Sequence, residues 1–188
     1  MLNISRKISD EGEGPLWDKF KSGDIEAYEF IYRSKVRDLF NYGMSISQDD
    51  AMVKDCIQEL FLEIWKSREN LSATDNIKYY LFKALRYKLN HSKTLAQKTK
   101  PMDGQMAIYN KLISFPFEEE IIRKQQIVLN KRKIEQAIAK LTSRQREVIT
   151  LSFYEGLSYD EIASLMSMRV DSVYTLVWKA ISRLKTLV

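Results

Sequence analysis

Two short polar signatures in the last quarter of the chain constrain its fold most. Thr142 stands three residues before Gln145, and Ser158 three residues before Glu161, and each pair opens a run of apolar residues. A hydroxyl followed at that spacing by Glu or Gln is a capping box, in which each side chain satisfies a backbone N–H that a helix start leaves unpaired. Two such starts so close together leave room only for short helices separated by tight turns.

The surrounding residues extend this into a four-helix unit. A first helix is expected to end near Leu141. The second carries Val148, Ile149 and Leu151 until Glu155-Gly156 breaks it. The third runs from Ser158 to about Met166. After Ser167-Met168-Arg169 comes the last, to about Leu184. Small Ala163 suits a close helix crossing, and Ile162, Met166, Val173 and Val177 can form a shared core. The segment SYDEIASLMSMRVDSVYTLVWKAISRLK therefore reads as a helix-turn-helix, whose second helix projects into a major groove of double-stranded DNA.

On that helix Arg169, Ser172, Tyr174, Thr175, Trp178 and Lys179 are expected to face outward, and Arg183 and Lys185 add charge towards its end. Such a face mixes phosphate contacts with base-edge contacts. The plainer reading is a helical hairpin with a solvated polar face. The agreement of capping box, Ala163, turn and core pattern weighs against it.

Only 6 Gly and 3 Pro occur among 188 residues, too few for a chain built on β-turns, so the rest is expected to be helical as well. Residues 1–15 are polar and read as a loose tail. From Trp17 the pattern turns helical. Tyr28, Ile31, Tyr32, Val36, Leu39 and Tyr42 recur at spacings of three and four, with Asp24 as N-cap and Gly43 as the stop. A second helix is expected from about Asp49 to Lys66, with Val53, Cys56 or Ile57, Leu60, Phe61 and Ile64 buried. A third runs from near Asp75 to about Thr94, with a break near Tyr87. Tyr79, Lys83, Arg86 and Asn90 lie off its apolar stripe. Residues 95–117 lose periodicity, with Pro101 and Gly104; Glu118–Glu120 then precede a helical pattern through Ile121, Ile127 and Ile134, and residues 95–125 read as the linker. The fold class expected is all-α: two small helical domains, 16–94 and 126–188, joined by a flexible linker.

The net charge of +5 and pI near 9.1 permit a nucleic-acid partner without demanding one. Cys56 is the only cysteine and His91 the only histidine, so neither a disulfide within the chain nor a usual zinc set can form. No Ser/His/Asp set or Gly-rich phosphate loop stands out. No apolar run reaches the ~20 residues that span a bilayer, and the N-terminus lacks a signal-peptide core. The expectation is a cytoplasmic protein without cofactor, metal, small-molecule substrate, membrane insertion or catalytic activity.

The two halves together resemble the sigma-70 family, in its small extracytoplasmic-function class. GDIEAYEFIYRSKVRDLFNYG looks like the opening helix of sigma domain 2. DCIQELFLEIW is the most specific match, with Asp55, Gln58, Glu59, Phe61 and Trp65 at the spacing of the family's core-binding helix. NIKYYLFKALRYKLNHSK looks like the segment that engages the −10 promoter element, and LTSRQREVITLSFYEGLSYDEIASLM like domain 4, which engages the −35 element.

The resemblance implies binding to core RNA polymerase (β′ and β subunits), to promoter DNA and to an anti-sigma factor. It assigns Asp55, Gln58, Glu59, Leu62 and Trp65 to the polymerase. Leu62 is the apolar anchor candidate, while Phe61 and Trp65 suit a core as well as an interface. It assigns Tyr79, Lys83, Arg86, Tyr87, Asn90 and His91 to the −10 strand, where bases stack on aromatics and cations follow phosphates. Arg169, Ser172, Tyr174, Thr175, Trp178, Lys179 and Arg183 fall to the −35 element.

Ser167 stands where the turn usually has Gly, Arg169 where the N-cap is usually Ser or Thr, and Tyr87 where the family often has Asn. The competing reading is a conventional helix-turn-helix regulator with a helical sensor or dimerisation domain, acting on a palindrome without polymerase.

Overall fold

The computed structural model describes residues 12–98, 134 and 136–187. All regular structure among them is helical. The helices are α1 (Glu13–Lys21), α2 (Ile25–Ile46), α3 (Asp50–Lys66), α4 (Ile77–Lys98), α5 (Ser143–Ile149), α6 (Tyr159–Met166) and α7 (Val170–Leu187). A single 3-10 turn, Arg68–Asn70, follows α3, and residues 136–139 are helical ahead of α5. Among the described residues no helix is long and apolar enough to cross a membrane.

The N-terminal domain packs α2, α3 and α4 around Ile31, Leu39, Val53, Ile57, Leu60, Leu81 and Leu85, all buried. Each fully buried side chain of this size contributes roughly 2 kcal/mol. Asp24 caps α2, accepting from the backbone N–H groups of Glu26 and Ala27, and Asp49 caps α3 through Met52. Asn76 caps α4, its side chain accepting from the N–H of Tyr79 at 2.9 Å.

Three expectations need correction. The first helix begins at Glu13, not Trp17, so the polar N-terminal stretch is not loose throughout. Leu16, Trp17 and Phe20 are buried, and Glu13 has partners far along the chain. Its carboxylate accepts from Lys35 Nζ at 2.5 Å and from the N–H of Ile77 at 2.7 Å, tying α1 to α2 and to the start of α4. Nothing local in the sequence announces contacts of that range.

Gly43 does not stop α2, which continues to Ile46. A Cβ at position 43 would lie 2.6 Å from Val53 Cγ1, so the glycine lets α2 and α3 approach closely. Helix α4 is unbroken at Tyr87 and extends to Lys98. The rest of the expected linker, with Glu118–Glu120, lies outside the described residues.

In the C-terminal domain both capping boxes form: Thr142 with Gln145, and Ser158 with Glu161. Helix α5 runs into a π-helical turn, Thr150–Tyr154, whose five-residue hydrogen bond joins the Glu155 N–H to the Thr150 carbonyl at 3.0 Å. Gly156 then breaks the chain with φ 68°. Helices α6 and α7 cross over Ile162, Ala163, Met166, Val173, Val177 and Ala180, all buried. Ser167 makes the turn in the left-handed region, φ 53° and ψ 54°, and the N–H of Met168 closes it on the Ala163 carbonyl at 2.9 Å.

The two domains touch. Helix α5 and the turn after it pack on α2, and the buried side chains of both halves are contiguous. Polar contacts finish the end of α2, which has no base in its own last turn. The Ile46 carbonyl accepts from Lys93 Nζ at 2.5 Å and Ser143 Oγ at 2.9 Å, and the Ser45 carbonyl from Arg146 Nε at 3.4 Å. Cations near the negative end of a helix dipole are stabilising. Burial lowers the pKa of both Lys93 and Arg146.

Candidate polymerase and nucleic-acid interfaces

Helix α3 turns one face to solvent. Asp55 and Glu59 are exposed, Gln58 is half-buried, and Leu62 between them is 55% exposed. Residues at i, i+3, i+4 and i+7 share a helix face, so the expected polymerase set is spatially coherent up to Leu62. A large apolar side chain ringed by polar ones is the composition of an interface centre. Lys88 of α4 leans on this edge, 3.7 Å from Glu59 and paired with Glu63.

Trp65 stands differently. Its ring is half-buried, 5.0 Å from Tyr28 and 6.0 Å from Phe20, with the Arg68 guanidinium 4.8 Å above it. Most of that ring serves packing. Phe61 is fully buried.

The residues expected along the −10 strand divide between two environments. Lys83, Tyr87, Asn90 and His91 are exposed on one side of α4. Tyr87 is 75% exposed, and its ring stacks on His91 with centroids 6.4 Å apart and planes 16° apart. A flat aromatic pair flanked by Lys83 offers a base a stacking surface and a phosphate a cation. Tyr79 and Arg86 are half-buried, and Arg86 meets the C-terminal domain.

There Arg86 Nε donates to Glu147 Oε1 at 2.7 Å, and Tyr42 donates its hydroxyl to the same oxygen at 3.0 Å. Glu147 is 3% exposed. Burial, then the neighbouring charge of Glu147, pushes the Tyr42 hydroxyl well above its ordinary pKa, keeping it a donor. A second cross-domain pair joins Lys78 to Glu155 at 2.5 Å, with Asp38 at 3.5 Å. Sequence reading missed Glu147 and Glu155. A glutamate directly before Val148 and Ile149, at a position the helical period buries, was the available signal.

All seven residues expected at the −35 element are exposed on or just before α7. They occupy two flanks. Arg169, Ser172, Thr175 and Lys179 line a cleft of about 430 Å³ together with Met168, Asp171 and Leu176. Tyr174 packs edge-on against Tyr159 of α6, with centroids 4.5 Å apart, and Trp178 is 68% exposed. The far wall of the cleft is Arg144, one residue inside the start of α5 and absent from the expected set. A base just after a helix N-cap was its only mark in the sequence. Arg169 lies 3.5 Å from Asp171, both fully at the surface, an ion pair weakened by solvent.

Comparison with known proteins finds family matches in both halves of the chain. The model for Sigma-70 region 2 matches residues 31–94, and that for Sigma-70, region 4 matches residues 131–184. The RNA polymerase sigma-H factor of Pseudomonas aeruginosa is 22% identical over 184 residues, 92% of each chain. The ECF RNA polymerase sigma factor SigM of Bacillus subtilis is 22% identical over 162 residues, 84% of this chain and 92% of SigM.

Two solved structures share the fold. CnrH in complex with the cytosolic domain of CnrY has a TM-score of 0.63 at 18% identity, covering 93% of this chain and 96% of CnrH. The sigma factor RpoE of Bartonella quintana, in complex with the anti-sigma factor NepR, has a TM-score of 0.56 at 18% identity, covering 83% and 92%. The region 2 and region 4 matches together span more than half of the sequence, and with these relatives they place the chain in the sigma-70 family, extracytoplasmic-function class: it is a sigma factor.

Proposed function

We propose that the chain divides the work of a sigma factor among three faces. The exposed side of α3, with Leu62 among Asp55, Gln58 and Glu59, binds core RNA polymerase. The exposed side of α4, with Lys83, Tyr87, Asn90 and His91, receives the unpaired −10 strand. The outer face of α7, with Arg144 opposite it, receives the −35 duplex. The observation that carries this reading is the coexistence, in one chain, of an apolar residue exposed on a region 2 helix and a recognition helix whose outer face is exposed.

Each DNA face is small, so its binding alone is weak and falls steeply with salt. Mounting both on polymerase raises their effective concentration at the two elements. Those elements lie about 25 base pairs apart, roughly 85 Å at about 3.4 Å per pair. The longest helices here, of 22 residues, measure only about 33 Å. The touching domains must separate to reach both elements.

The chain works in the cytoplasm, without catalysis of its own. A protein inhibitor holds it until a signal arrives; both solved structures named above are complexes with partner proteins.

The direct test is reconstitution with bacterial core RNA polymerase on a fragmented genomic library, reading co-elution and new transcript 5′ ends. Co-elution with transcripts that share two upstream motifs supports the proposal. DNA binding by a dimer of the chain without co-elution would favour the conventional regulator.

A further inference from the structure

Arg86 has two claimants. It stands on the helix proposed to follow single-stranded DNA, and its Nε donates to Glu147 of the other domain at 2.7 Å. Lys78, two turns earlier on α4, is held at 2.5 Å by Glu155. Two acids of the C-terminal domain thus meet two bases of α4, and both acids are almost wholly enclosed.

What they offer is chemically close to a nucleic-acid backbone. A carboxylate on a guanidinium or an ammonium makes the same charge-assisted hydrogen bonds as a phosphate oxygen. The Glu147 oxygen also takes the Tyr42 hydroxyl, so its site presents two donors converging on one anionic atom. A phosphate oxygen could take that place once the domains part.

We propose that Glu147 and Glu155 are built-in phosphate substitutes: in the free chain the C-terminal domain occupies cations of α4 that single-stranded DNA would otherwise use. The inference rests on the reading of α4 as a DNA-facing helix. The competition is partial. Lys83, Tyr87, Asn90 and His91 stay exposed in the closed form, so a strand can make first contact there while Arg86 is still held. Full engagement of the strand then requires the domains to separate, the same separation that the distance between promoter elements demands.

The test uses the full-length chain with Glu147→Gln and Glu155→Gln combined. Glutamine keeps the shape and an acceptor but removes the charge. Small-angle scattering reads the radius of gyration, and fluorescence anisotropy reads binding of a labelled, mixed-sequence, single-stranded oligonucleotide. The double variant is expected to have the larger radius and to bind the oligonucleotide about tenfold more tightly, if opening restores a competent form populated about a tenth of the time.

An unchanged radius overturns the proposal, as does an opened chain with unchanged affinity. Should Glu147→Gln misfold, as circular dichroism would show, Glu155→Gln alone is read the same way, its partner Lys78 lying outside the buried core. Tyr87→Ala in the opened chain separates the two levels. If it leaves affinity untouched, the DNA-facing reading of α4 fails and the proposal with it. If it weakens binding while the glutamine substitutions change nothing, only the competition is refuted.

Discussion

Gly43 and Val53 meet where α2 crosses α3, so closely that a Cβ on the glycine would stand 2.6 Å from Val53 Cγ1 and 3.6 Å from Leu85 Cδ2. Gly43→Ala should therefore cost about 1–3 kcal/mol through overpacking. Trimming the opposing side chain should return part of that, so Gly43→Ala with Val53→Ala is expected to lose less than the two single losses added together. Thermal denaturation of the four proteins in this cycle measures it. Simple additivity would mean that the close approach is not what the glycine provides.

Ser167 adopts a left-handed backbone, the only described non-glycine residue with positive φ. That conformation costs an L-residue roughly 1–2 kcal/mol and costs glycine little. Ser167→Gly should stabilise the C-terminal domain by up to about 1 kcal/mol and leave DNA binding unchanged. A lower midpoint in urea would show that the serine side chain supplies something the strain argument omits.

On α3, replacing Asp55, Gln58 and Glu59 together with Ala should sharply weaken co-elution with core polymerase while changing stability by less than about 1 kcal/mol. Asp55 and Glu59 are at the surface, and Glu59 approaches Lys88 at 3.7 Å, a contact worth about 0–1 kcal/mol. On α7, Trp178→Ala with Lys179→Ala should spare polymerase binding and reduce promoter binding. If both sets affect both activities equally, the separation of faces is wrong.

Arg144→Ala tests the wall of the cleft that the sequence did not reveal. A side chain that contacts phosphate alone weakens binding to all duplex sequences alike and lowers the salt slope by about 1. A change in base preference would instead put Arg144 at a base edge.

Stability should also depend on alkaline pH. Tyr42 holds its proton more tightly in the folded chain, first through burial and then through Glu147. For Lys78, burial pulls the other way, but the hydrogen bond and charge of Glu155, then Asp38, hold its pKa above the ordinary value. Folded values above unfolded ones mean that the stabilisation is complete below about pH 10 and is lost as pH rises through the folded values. Lys93, lowered by burial, offsets part of the loss. Denaturant midpoints should fall above about pH 10, and Lys78→Gln should flatten the fall. A midpoint constant across that range would refute the assignment.

What could be read in advance was whatever obeys short-range rules. Both capping boxes, the cap at Asp24, the Glu155-Gly156 break and the core of α6 and α7 depend on residues close together in the chain. Gly43 misled because glycine serves equally to end a helix and to admit a neighbour, and only Val53 decides which. Glu13 and Glu147 misled for a related reason. A polar residue reads as solvated until its partners, Ile77 or Arg86, are brought to it from more than fifty residues away. Lys78 and Arg86 share a helix with Lys83 and Tyr87, and the sequence could not show that a second domain would engage the first two only.

The end of α2 carries a last consequence. Its terminal carbonyls are served by Lys93, Ser143 and Arg146, two of them supplied by the other domain. Water can replace a hydroxyl or a guanidinium at an exposed carbonyl with little net loss. An apolar seam has no such substitute. At this edge the joint therefore resembles a fastening that solvent can undo and remake, as the separation of the halves proposed above would require.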